Sequence, residues 1–260
     1  MKAIDDNRQT VTADDIITTL IAMHDDEQRC ALIRFFKTGE GEYGHGDKFI
    51  GLKVPQTRMV VKEACLHVSL AEIDKLIHSE WHEVRLCAFL MLVEEMNSAL
   101  PRSVDTQEKA MWRKKIAEFY LRNARQANNW DLVDMSCPKI LGYWLLHPLP
   151  DGTMPSRDIL DRLAVSDNLW EQRIAIVTTW MLIRHGQYAD TLRIADKLLA
   201  HPHDLIHKAV GWMLREVGKQ DMEVLEGYLE AHYHDMHRTT LRYAIEKMDE
   251  LRRLYWLKRR

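Results

Sequence analysis

The sequence predicts an all-α fold, an α–α superhelix (solenoid) of HEAT-like helical repeats, on three observations. Apolar residues recur at spacings of three and four through most of the 260 residues. Only 11 Gly and 7 Pro occur, too few for the frequent turns of a β-sandwich or barrel. The basic positions Arg173, Lys208 and Arg242 stand 35 and 34 residues apart at equivalent points of one recurring design. That period belongs to helical-hairpin repeats.

Taken in order, residues 14–36 carry Ile16, Ile17, Leu20, Ile21, Leu32, Ile33 and Phe36 at helical spacing, with Asp14 or Thr12 as the expected cap. Residues 39–51 (GEGEYGHGDKFIG) form a glycine-rich loop. Gly39, Gly41 and Gly44 match GxGxxG formally, but no strand precedes them and no Gly-Lys-Ser/Thr follows. The segment therefore reads as a connection between helices, with Asp47 and Lys48 as candidate ligand contacts. Pro55 starts the helix PQTRMVVKEACLHV, and Ser69 or Ala71 opens the next, to about Ser79.

A polar lead, a basic residue and an apolar helix then appear together in SEWHEVRLCAFLMLVEEM (79–96). DNLWEQRIAIVTTWMLIRHG (167–186), HDLIHKAVGWMLREVGK (203–219) and MHRTTLRYAIEKM (236–248) repeat the design. The 88 residues separating Arg85 from Arg173 hold one further repeat, containing NNWDLVDMSCPKILGYWL (128–145), and a loop at 147–158. One hairpin cannot bury its apolar face alone, so neighbours must stack. The expectation is a single repeat domain over 1–260, with 1–13 as a flexible N-terminus.

Composition narrows the function classes. Hydrophobic residues make up 46% and charged residues 29%, so the chain is globular. No apolar run reaches the ~18–20 residues of a membrane helix, and the start Met1-Lys2-Ala3-Ile4-Asp5-Asp6 lacks a signal-peptide core. Cys30, Cys65, Cys87 and Cys137 form no CxxC pair. Such scattered thiols fit a reducing cytosol and small apolar core positions. His201, His203 and His207, with His232, His234 and His237, lack a defined zinc geometry and are expected as surface or capping residues. The formal net charge of -3 weakly opposes nucleic-acid binding. Its distribution counters this: 109–125 carries six basic residues against Glu118, and 251–260 carries five with no acid.

Trp130 and Asp134 carry the chemistry. One helical turn apart, they put a flat π-face beside a fixed negative charge, and both attract cations. Arg173 and Trp212 come from later repeats. The planar fork of an arginine suits a phosphate, and a second tryptophan adds a second π-face. The plainer alternatives are a buried Trp130 with a helix-surface Asp134, an inter-repeat salt-bridge partner at Arg173 and a core Trp212.

At these residues the chain resembles the AlkD-type DNA alkylation repair proteins, a family of HEAT-like repeat DNA glycosylases. The similar stretches are FFKTGEGEYGHGDKFIGLKVPQTR (35–58), NNWDLVDMSCPKILGYWL (128–145), LWEQRIAIV (169–177), HKAVGWMLREVGK (207–219) and RTTLRYAIEKM (238–248), in the family's order. The resemblance implies a C-shaped solenoid that releases cationic N3- and N7-alkylated purines from double-stranded DNA, a hydrolase of base excision repair. It puts the active-site aspartate on Asp134, the tryptophan before it on Trp130, the second tryptophan on Trp212 and the phosphate-binding arginine on Arg173. It also implies that the base is released without being flipped from the stack. The chain is thus expected to be a cytoplasmic monomer, away from membranes, without metal or other cofactor, whose partner is alkylated duplex DNA. A non-catalytic DNA-structure-binding protein and a protein–protein scaffold are the alternatives.

Overall fold

The computed structural model describes residues 11–259. It is all-α. Among the described residues β-pairing is limited to an isolated bridge between Lys48 and Trp81. By internal contacts the chain forms two compact units. One holds the described residues through Ile140 together with His147–Thr153, and the other Leu141–Leu146 together with Met154 onward. Of the expected flexible stretch 1–13, residues 1–10 lie outside the described residues, while Ala13 is buried at the start of a helix.

The first unit begins with α1 (Ala13–Ile21), closed by a capping box in which Thr12 and Asp15 satisfy each other's backbone N–H groups. The helix expected over 14–36 is two helices. Asp25 accepts from Gln28 N at 2.9 Å and so restarts the chain as α2 (Asp26–Phe35). Then come α3 (Val54–Ala64), with Pro55 in its first turn, and α4 (Leu70–Ile77), capped by Ser69. Both pack on α5 (His82–Ala99), which is buried along almost its whole length and forms the spine of this unit. α6 (Gln107–Arg122) and α7 (Trp130–Cys137) pack on the same spine. At Pro138, which has no N–H to donate, the chain opens into a single wide π turn, Pro138–Gly142.

The segment 50–52 is fixed by one side chain. The Glu83 carboxylate accepts from the N–H groups of Ile50, Gly51 and Leu52 at 2.8–3.0 Å. Gly51 is obligatory there: its φ is +103°, and a Cβ would lie 2.1 Å from the Asp25 carbonyl oxygen.

The second unit runs α8 (Tyr143–Leu146), α9 (Asp158–Ala164), α10 (Leu169–Arg184), α11 (Ala189–Leu198), α12 (Asp204–Gln220), α13 (Met222–His232), α14 (Arg238–Ala244) and α15 (Glu250–Lys258). α12 packs on both α10 and α14, while α9 and α11 lie against α10 and α11 and α13 against α12. The three helices α10, α12 and α14 coincide with the sequence copies at 167–186, 203–219 and 236–248. Each is capped at its start by a side chain, from Asn168, His203 and His237 respectively. The capping role expected of the histidines is therefore present at two of them.

Candidate active site

Trp130 is the first residue of α7. Its N–H donates to Asn129 Oδ1 at 2.9 Å, which caps the helix. Its ring stacks on Phe36 (centroids 5.3 Å apart, planes at 27°) and meets the edge of Phe35 at 5.8 Å. Trp130 is half-buried, and so is Asp134 one turn further along the same helix. Trp130, Phe35, Leu32, Val54 and Met135 line a mainly apolar cavity of about 320 Å³. The exposed Phe35 forms part of its wall. Both residues of the pair thus stand between core and open surface. Beneath them Tyr120 of α6 shares a hydrogen bond with Ser136 at 3.0 Å. Burial pushes its phenol well above the usual range, and the negative charge of Asp134 pushes the same way.

Trp130 is backed by buried charges that the sequence did not reveal. His82, at the start of α5, has Nδ1 2.8 Å from the Asp47 carboxylate and Nε2 2.9 Å from that of Asp131. Arg85 also donates to Asp47, and Asn129 Nδ2 reaches it at 3.5 Å. Burial works against a charge on His82, but the two carboxylates outweigh it and raise its pKa to about 9. Asp47 is lowered, its own burial being outweighed by His82 and Arg85. Of the candidate ligand contacts Asp47 and Lys48, the first is taken up by this network, while Lys48 stays more than half exposed. Asp47 faces inward with its side chain 3% exposed, and Lys48 pairs with Glu80 at 2.6 Å. A signal for this network did exist. His82, Glu83 and Arg85 lead a helix that is otherwise apolar on nearly every side, and charges in such a place require partners.

In the second unit, Arg173 on α10 is buried and donates through Nη1 to the Leu205 carbonyl oxygen at 2.6 Å, in the first turn of α12. This contact joins neighbouring repeats, and it is made to a carbonyl oxygen rather than to a carboxylate. Trp212 stands half-buried on α12, the neighbour of α10. The structure therefore sets Trp130 and Asp134 together on one helix of the first unit, and Arg173 and Trp212 on two packed helices of the second.

The basic stretches are less free than their composition suggests. Arg113 is 1% exposed and bound to Asp105 and the Ala99 carbonyl. Arg122 lies over Phe119, and Lys115 over Trp112. In the tail, Arg259 pairs with Glu230 at 2.6 Å and covers Tyr233, Tyr255 and Trp256.

A family model described as DNA alkylation repair enzyme matches residues 16–248. Among solved structures, one described as a predicted DNA alkylation repair enzyme from Enterococcus faecalis matches with a TM-score of 0.61. It is 16% identical, and the match covers 87% of this chain and 97% of that one. At that identity the likeness concerns the fold. No curated protein matches the chain.

Proposed function

We propose that this chain, which belongs to the DNA alkylation repair enzyme family, is a DNA glycosylase that hydrolyses the N-glycosidic bond of cationic N3- or N7-alkylated purines in duplex DNA. The observation that carries the reading is the pair on α7, a half-buried carboxylate one turn from a half-buried tryptophan. A purine alkylated at N3 or N7 is already cationic and leaves without a protonating acid. The barrier then lies in the positive charge that develops on the sugar. Asp134 stabilises that charge and orients the attacking water. Trp130 and, in the second unit, Trp212 are each suited to hold a sugar or a cationic base by cation–π and C–H contacts.

Arg173 is assigned to a backbone phosphate, which its planar, permanently charged guanidinium suits. The remaining exposed cations of α6 and α15 add sequence-independent attraction to DNA. The base is released without being flipped from the stack, by a monomer that needs no cofactor and works in the cytoplasm. A DNA-binding protein without catalysis would have no use for an acid facing phosphates, which favours the enzyme over that alternative.

The test is incubation with methylated duplex DNA and chromatography of the released bases. Appearance of 3-methyladenine or 7-methylguanine above the spontaneous rate is the expected outcome. Their absence would overturn the glycosylase reading.

A further inference from the structure

Catalysis by Trp130 and Asp134 requires that α7 be held in one rotation and one depth. We propose, resting on the glycosylase reading, that His82 is the positioning residue that does this, clamping the glycine-rich loop through Asp47 and the start of α7 through Asp131. Both ring nitrogens of His82 lie within 2.9 Å of carboxylate oxygens. A carboxylate can only accept, so each nitrogen carries a hydrogen and the ring is an imidazolium. It is 2% exposed. Its faces lie against Phe49 at 4.5 Å and Phe36 at 4.9 Å, contacts that favour a cation.

The charges around it balance only in that state. His82 and Arg85 of α5 face Asp47 of the loop and Asp131 of α7, two cations against two anions. The nearby Glu83 of α5 is occupied by three backbone N–H groups. Lys53, at the start of α3, lines the cavity beside the ring. Loss of the imidazolium proton would leave an uncompensated buried negative charge.

The clamp brackets Trp130. Asp131, the next residue, is bound by His82, and Asn129, the residue before, reaches Asp47. The ring of Phe36 touches His82 and stacks on Trp130. Apolar packing of α5 on α7 would hold the helices together, whereas directional bonds on both sides of one residue fix its rotation. Asp134, one turn on, follows. The glycine-rich loop thereby acquires a role: it delivers Asp47 to the clamp. Gly44 makes this possible, since a Cβ there would lie 2.4 Å from the Phe36 carbonyl oxygen.

The test uses the full chain labelled with fluorotryptophan, the Trp130 fluorine resonance being assigned by its loss in Trp130→Phe. In the wild type this resonance is expected to titrate with a midpoint near 9. In His82→Gln the titration disappears, and single-turnover base release falls by at least about tenfold while duplex affinity stays within about threefold. Should His82→Gln fail to fold, Asp131→Asn keeps the shape, removes one anion, lowers the midpoint and slows release in the same way.

A Trp130 resonance that neither titrates nor moves in either variant overturns the proposal. So does a folded variant with a shifted Trp130 signal and the wild-type release rate. A titrating Trp130 in a wild type that releases no base supports the clamp and overturns the glycosylase reading.

Discussion

Arg173 combines an observed packing contact with a proposed one to DNA. Its guanidinium ties α10 to the first turn of α12 through Leu205, and the proposed function also sets it against a phosphate. Arg173→Ala is therefore expected to cost roughly 1.5–3 kcal/mol of stability, the range for a buried charge-assisted hydrogen bond, and to weaken duplex binding. Calorimetry and fluorescence anisotropy separate the two effects. A purely structural arginine would lower the melting temperature and leave the affinity of the folded protein unchanged. His82 makes a second prediction at this scale. Its folded pKa, about 9, lies above the unfolded 6.5, so its stabilisation is complete below pH 6.5 and is lost as pH rises through 9. The melting temperature should fall over that window, and His82→Gln should flatten the fall. That Trp130 and Asp134 share one helix face was legible in the sequence from their spacing of four. The His82–Asp131 contact was not. It joins positions 49 residues apart, and no periodicity relates them.

Helix starts and close approaches decide the behaviour of the elements. His203 caps α12 by accepting from Leu205 N through Nδ1 at 3.1 Å, and only an unprotonated nitrogen can accept. Burial, with nearby cations, lowers its pKa from 6.5. The unfolded chain therefore takes up the proton first as pH falls, and stability declines below pH 6.5. His203→Asn, a capping residue that does not titrate, is expected to flatten this acid limb in thermal melts. Where α12 meets α14, a Cβ on Gly211 would lie 2.5 Å from both the Thr240 carbonyl oxygen and Tyr243 Cβ. Gly211→Ala should cost about 1–3 kcal/mol by overpacking, read from urea denaturation. Periodicity located α10, α12 and α14 well. It merged α1 with α2, because the spacing of Leu32, Ile33 and Phe36 continued a pattern that Asp25 interrupts only as a cap. α2 in fact buries none of its residues.

At the scale of the molecule, the all-α repeat class was readable because each repeat helix must bury a stripe at the same interval. Partner choice was less readable, since composition counts charges without showing which are paired. Arg113 and Arg259 stood in the basic stretches but serve the protein's own packing. With cations remaining on α6 and α15, duplex affinity should fall by at least about tenfold between roughly 50 and 200 mM salt. An affinity insensitive to salt would contradict electrostatic docking on the DNA backbone. If Asp134 does the chemistry on a bound duplex, single-turnover release of 7-methylguanine must differ between the wild type and Asp134→Asn. The expected rate is lower by about 10²–10³-fold in the variant, with duplex affinity held within about threefold. Equal rates in the two proteins would rule out a catalytic Asp134.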